Sequence, residues 1–165
     1  MNHIQKLQSK IVNADQLKAK LDAWRIEGKE VVFTNGCFDL LHKGHIDYLN
    51  KAADLGDELV IGLNADASVE RLKGSHRPIQ SEDSRAWILA ALECVSLVVL
   101  FTEDTPINLI LEVKPDVLVK GGDYSPNQIV GSPEVIKGGG KVEIIPFLEG
   151  FSTSKIESKI KQAAP

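Results

Sequence analysis

EVVFTNGCFDLLHKGH, residues 30–45, carries the reading of the fold. Its first five residues form a β-branched apolar run bounded by Gly28-Lys29 and Asn35-Gly36, the composition of a strand buried on both faces. Gly36 lets the backbone turn tightly where that strand ends. Beyond it, Ile46, Leu49 and Ala53 mark one face of a helix that begins near Gly44-His45 and stops at Gly56. A buried strand leading through a glycine turn into a helix is one half of a βαβ unit, and the question is whether the unit repeats.

It does. ELVIGL (58–63), SLVVLF (96–101), DVLVK (116–120) and KVEIIPF (141–147) read as four further strands. Ser81, with Glu82 and Asp83 in the first turn, opens a helix; Thr105-Pro106 and Ser132-Pro133 are cap-proline starts; Ser152 opens a last helix with Ile156 and Ile160 on one face. Residues 64–81 are polar and aperiodic and read as a loop with room for a short helix. Ahead of the first strand, Asn13 caps a helix carrying Leu17, Leu21 and Trp24, so residues 1–28 read as an N-terminal helical extension. Apolar strands alternating with helices predict an α/β, doubly wound, Rossmann-like fold: one domain over 1–165, with a mostly parallel five-stranded sheet and helices on both faces.

In such sheets ligands bind beyond the carboxyl ends of the strands, near the point where strand order reverses. TNGCFD, NAD (64–66), KGGDY (120–124) and FSTS (151–154) all follow strands and therefore gather at that end. Composition restricts what they can serve. A net charge of −4 offers no basic face for nucleic acid. No apolar run approaches the ~20 residues of a membrane span, and the first residues lack the apolar core of a signal peptide. Two cysteines, Cys37 and Cys94, make no disulfide framework, and a cytoplasmic protein is expected.

Three chemistries compete for residues 34–45. His42 and His45 have a spacing open to metal ligands, with Cys37 and Asp39 nearby, but no tighter second pair accompanies them. Cys37 as a nucleophile would need a histidine base and an orienting partner; a small packed cysteine is the plainer reading. A nucleotide cradle fits better. Gly36 permits close approach of a phosphate, and free N–H groups where the helix begins at Gly44-His45 face an anion, beside two imidazoles able to donate. FSTSK offers a second such start through Ser152, Thr153 and Ser154, although alone it reads more plainly as an N-cap. Neither a P-loop nor a G-x-G-x-x-G fingerprint is present.

TNGCFDLLHKGH resembles the signature of the HxGH nucleotidylyltransferase superfamily, and FSTSKI resembles its second signature. A more specific resemblance, to the D-glycero-β-D-manno-heptose 1-phosphate adenylyltransferase family, is carried by FTNGCFDLLHKGHIDYL, LNADASVERLKGSHRPI, FTEDTP, LVKGGDY and GFSTSKI, in that order, over roughly residues 10–162. Lys43 and Ser154 depart from the usual pattern; the serine keeps the hydroxyl, and Lys43 is either a phosphate contact or a solvated lysine. The resemblance implies transfer of an adenylyl group from ATP, carried with Mg²⁺, to a heptose 1-phosphate, giving ADP-heptose and pyrophosphate. It implies catalytic roles for His42, His45 and Lys73. Thr34, Asn35, Gly36, Phe38, Lys120, Gly121, Gly122, Asp123, Ser152, Thr153 and Ser154 would bind the nucleotide, and Asp39, Asn64, Asp66 and Arg85 the sugar phosphate. No residue is assigned as a metal ligand. A homo-oligomer is expected, in the stand-alone form without a fused sugar kinase. A cytidylyltransferase acting on a small alcohol phosphate, sharing both signatures, and a nucleotide-binding regulatory module remain as alternatives.

Overall fold

A computed structural model of the chain describes residues 1–122, 125 and 128–163. The strands are β1 (Ile11–Val12), β2 (Val31–Gly36), β3 (Glu58–Asn64), β4 (Leu97–Phe101), β5 (Val117–Gly121) and β6 (Lys141–Ile145). They form one sheet in the order β1-β4-β3-β2-β5-β6, every pair parallel. The doubly wound α/β architecture is therefore the expected one, with six strands instead of five. The extra strand lies inside the segment expected to be a helical extension. It pairs Ile11 with Val98 and Val12 with Val99, and two residues are too short to show any period in sequence.

Helices α1 (His3–Gln8), α2 (Ala14–Ile26), α3 (Lys43–Ala53), α4 (Asp66–Lys73), α5 (Glu82–Ala90), α6 (Ile107–Val113), α7 (Ser132–Lys137) and α8 (Thr153–Ala163) complete the chain. Asn13 caps α2 as read, exchanging hydrogen bonds with Gln16, and Gly28 follows at φ 71°, a conformation that suits glycine. Ser81 caps α5 by accepting the Ser84 N–H. The two cap-proline starts shift by a residue: Pro106 and Gly131 hold the N-cap positions. Helix α4 falls in the stretch read as a loop. It buries only Ser68 and Val69, has no capping side chain of its own, and instead takes a hydrogen bond from the Asp66 N–H to the Glu82 carboxylate at 2.7 Å.

Strand alternation divides the core. Val31 and Phe33 pack with Leu17, Leu21, Trp24, Ile110 and Val113 on one face; Val32 packs with Leu49, Ala52, Leu59 and Leu89 on the other. Strands β3 and β4 extend the sheet from β2 in one direction, and β5 and β6 in the other. The reversal point lies between β2 and β5, whose carboxyl ends are Asn35-Gly36 and Lys120-Gly121.

Candidate active site

A cleft of about 390 Å³ opens over that reversal point, within the range of small-ligand sites. Its floor is Asn35, Gly36, Lys120 and Gly121; its sides come from the loop after β2, the starts of α3 and α8, and Lys73 at the end of α4.

The loop after β2 is held in a strained form. Phe38 has φ 45°, a left-handed conformation that costs a non-glycine residue about 1–2 kcal/mol. Its ring lies over Gly36, where an added Cβ would come within 3.0 Å of it. The same ring meets His45 edge-on, with centroids 5.6 Å apart. Gly44 is equally constrained, since a Cβ there would stand 3.0 Å from the His42 ring and 3.2 Å from the Phe151 Cβ. At both glycines of the opening stretch a side chain would thus press on a neighbouring ring, which would have to give by a few tenths of an ångström.

His42 caps α3, and its ring stacks on His45 with centroids 4.0 Å apart. The His42 backbone N–H donates to His45 Nδ1 at 3.4 Å. That acceptor role places the His45 proton on Nε2 in the neutral ring. Burial, with His42 and Lys73 nearby, lowers the His45 pKa to about 4, so the neutral form persists at pH 7. Burial also lowers the pKa of His42. Among the described residues nothing bonds the buried Nδ1 of His42, and an unmet buried polar atom costs about 1–3 kcal/mol. Two neutral imidazoles with bonding capacity to spare therefore stand at a helix N-terminus.

Lys120 is half-buried, donates to Asn35 Oδ1 at 3.2 Å, and has its pKa lowered by burial. Tyr48 lines the cleft from α3. Its hydroxyl lies 2.6 Å from Thr34 Oγ1, and burial pushes its pKa up to about 12. At the start of α8, Ser152 accepts the Lys155 N–H and Thr153 Oγ1 reaches the Leu40 carbonyl at 3.5 Å. The Lys43 ammonium sits over the Phe151 ring, 5.6 Å from its centre, so the lysine that departs from the family pattern faces an aromatic.

Of the residues singled out from sequence, Asn35, Gly36, Phe38, Asp39, His42, His45, Lys73, Lys120, Gly121, Ser152 and Thr153 come together at the cleft. Others do not line it. Thr34 is buried beneath the floor, where it holds Tyr48. Gly122 donates to the Ile145 carbonyl at 3.0 Å, and Ser154 is exposed on α8. Asp123 lies outside the described residues.

The four expected sugar-phosphate contacts are joined by hydrogen bonds to the loops around the cleft. Arg85, fully buried, donates to the carbonyls of Cys37, Asn64 and Gln80 and to the Asp66 carboxylate at 2.7 Å. Asn64 donates to Ser68 Oγ. Asp39 reaches the cleft, but its carboxylate accepts from Arg77 at 2.7 Å and from the N–H groups of Ile79 and Gln80. A polar residue after a strand reads the same in sequence whether it faces a ligand or ties loops together; only the partners distinguish the two.

Tyr48, Phe147, Leu148 and Phe151 line the cleft without having been singled out. Tyr48 stands three residues beyond His45 on the same helix face, a signal the sequence did offer. Among the described residues no group of three or more His, Cys, Asp or Glu is arranged to hold a metal ion, and no helix is long and apolar enough to cross a membrane.

The histidine pair at a helix N-terminus, over the reversal point of a parallel sheet, suits the phosphates of a nucleotide. Comparison with known proteins agrees. The cytidylyltransferase-like family matches residues 33–159. The chain is 56% identical over 153 residues to the bifunctional protein HldE of Geotalea uraniireducens, covering 93% of this chain and 31% of that protein. It is 58% identical over 152 residues to that of Citrifermentans bemidjiense, covering 92% and 31%. The chain thus spans about a third of the length of these curated relatives. A lipopolysaccharide core biosynthesis protein from Thermoplasma volcanium superposes with a TM-score of 0.60 at 33% identity, over 73% of this chain and 98% of that one. A pantoate-beta-alanine ligase from Francisella tularensis shares the fold, with a TM-score of 0.60 at 17% identity, over 92% and 76%. The chain belongs to the cytidylyltransferase-like family.

Proposed function

We propose that this chain transfers an adenylyl group from ATP to D-glycero-β-D-manno-heptose 1-phosphate, releasing ADP-heptose and pyrophosphate. The observation that carries the transfer chemistry is the neutral His45, with its proton on Nε2, stacked on His42 at the start of α3. An oxygen of the sugar phosphate attacks the α-phosphorus in line, the bond to the bridging oxygen breaks, and pyrophosphate leaves with the electron pair. This needs positioning and stabilisation of developing charge, with no enzyme nucleophile. His45 and His42 donate to phosphoryl oxygens, Lys73 adds a cation, and Ser152 and Thr153 meet the triphosphate at the start of α8. Asn35, Gly36, Phe38, Lys120 and Gly121 border the nucleoside. Mg²⁺ arrives with ATP, held by phosphate oxygens and water; its part is to neutralise phosphate charge.

The sugar assignment rests on the resemblance of RLKGSHRPI and LVKGGDY to heptose 1-phosphate adenylyltransferases. It is in keeping with relatives named bifunctional protein HldE and with one named for lipopolysaccharide core biosynthesis. A cytoplasmic homo-oligomer is part of the proposal, checked by light scattering of the purified protein. Pyrophosphate release is the decisive assay, with ATP or CTP and with the heptose phosphate or other sugar phosphates. Turnover with ATP and the heptose phosphate, and far less with CTP, is expected. Equal turnover with CTP, or none with the heptose phosphate, overturns the assignment.

A further inference from the structure

The loop between α4 and α5 contains an arginine that the transfer chemistry does not use. Arg77 Nη1 lies 2.7 Å from Asp39 Oδ2 and 2.9 Å from Glu157 Oε1, so one nitrogen bridges two carboxylates from distant parts of the chain. The arginine side chain is 11% exposed, that of Asp39 2% and that of Glu157 29%. Asp39 is the fixed end: its carboxylate also accepts the N–H groups of Ile79 and Gln80, and its carbonyl accepts from the Gln80 side chain. Glu157 is the loose end, on a helix that buries no residue. Apart from Arg77, the polar tie from α8 to the body among the described residues is the long Thr153–Leu40 bond at 3.5 Å.

We propose that Arg77 is a positioning residue for the nucleotide, seating the start of α8 against the loop after β2 through its bridge from Asp39 to Glu157. The proposal rests on the nucleotide reading given above. Three phosphate-facing pieces meet at this guanidinium: the loop that carries Asp39 into His42, the segment four residues beyond Lys73, and the helix that begins at Ser152-Thr153. The first and third line the cleft by their own residues, and Lys73 lines it just ahead of the second; the cation joins all three. A planar guanidinium suits this bridge, whereas a lysine ammonium is a point charge that favours one carboxylate.

Three variants test it: Glu157→Gln, Arg77→Lys and the double variant. Glu157→Gln removes only the arm to α8 and leaves the Arg77–Asp39 pair. Without nucleotide, hydrogen exchange should quicken across 152–160 while β2 and β3 keep the exchange of the unmodified protein. KM for ATP should rise about fivefold, the scale of one partly solvated ion pair, with kcat little changed. Arg77→Lys should match Glu157→Gln, and the double variant should be no worse than either, because all three break one bridge. Unchanged exchange across 152–160 in Glu157→Gln overturns the proposal, as does Arg77→Lys behaving like the unmodified protein. So does a fall in kcat at constant KM. The exchange measurement needs no turnover, so it decides the clamp even if the proposed reaction fails in its own assay.

Discussion

The sharpest consequence of the site concerns which nitrogen of His45 does the work. Its Nδ1 is occupied by the His42 N–H, so Nε2–H is the atom free to meet a phosphoryl oxygen. Loss of one such donor from a site where charge develops costs about 2.7–4 kcal/mol, or about 10²–10³ in kcat. The upper part of that range is expected because the ring is held on three sides: by the stacked His42 ring, the Phe38 edge and the backbone bond. His45→Ala should therefore fold and bind but turn over about 10³-fold more slowly. Two amide variants separate the nitrogens. A glutamine can present an N–H near the position of Nε2, whereas an asparagine reaches only as far as Nδ1. Steady-state pyrophosphate release should rank the unmodified protein first, then His45→Gln, with His45→Asn and His45→Ala together at the bottom. A His45→Asn enzyme faster than His45→Gln would refute the tautomer, and His45→Ala within threefold of the unmodified protein would refute the donor role itself.

The depressed pKa of His45 has a stability consequence. The unfolded chain titrates near the ordinary value of 6.5 and the folded chain near 4, so between these values the unfolded state binds the additional proton. The contribution is complete above about 6.5 and is lost as pH falls toward 4. Denaturation at pH 7 and pH 5 should show a smaller loss for His45→Gln than for the unmodified protein, and equal losses would count against it. Gly44→Ala should hold or raise thermal stability, since alanine favours a helix, yet cut turnover about tenfold or more by pushing on the His42 ring. Retained turnover would show that the ring has room to move. Lys73→Ala should raise KM for ATP severalfold with an unchanged melting temperature, and kinetics like those of the unmodified protein would make Lys73 a solvated charge. Cys37→Ala should keep most turnover because no covalent intermediate is required; an inactive Cys37→Ala whose unmodified form can be trapped adenylylated would reverse that.

Most of the fold was legible because its signals are local and repeated. Strands β2 to β5 are dense apolar runs bounded by polar or glycine residues, β6 alternates apolar with charged residues, and Asn13, Ser81 and Ser152 announce their helices through side chains that accept backbone N–H groups. Strand β1 escaped because its pairing to Val98 and Val99 is the only thing that makes it a strand. Helix α4 was legible only as room for a short helix, because its N-terminal partner is Glu82, sixteen residues away. The site divides in the same manner. The histidines and glycines after β2 are placed by a short loop, so their gathering at the end of that strand was readable from local sequence. The hydrogen bonds that join Arg85 to Asp66 and to the carbonyls of Cys37 and Asn64 were not, because they depend on where those groups end up in space. Phe147 and Phe151 carry little signal in sequence, being single aromatics in a polar stretch that becomes a wall once the sheet is assembled.

Strand β1 also guards the sheet. Its neighbour β4, LVVLF, has no charge, proline or glycine, and is buried at four of its five positions. Left uncovered, such a run is the kind of edge onto which another chain adds a strand, the first step toward insoluble aggregates. Ile11 and Val12 occupy the middle of that edge, and the Lys10 carbonyl takes the Val98 N–H at 2.8 Å. Two residues are enough to close the pairing groups, yet too few to offer a long template on their own outer side. The segment ahead of α2 thus covers the apolar strand β4 at the end of the sheet farthest from β6, and a fusion or truncation that peels it away would uncover that edge.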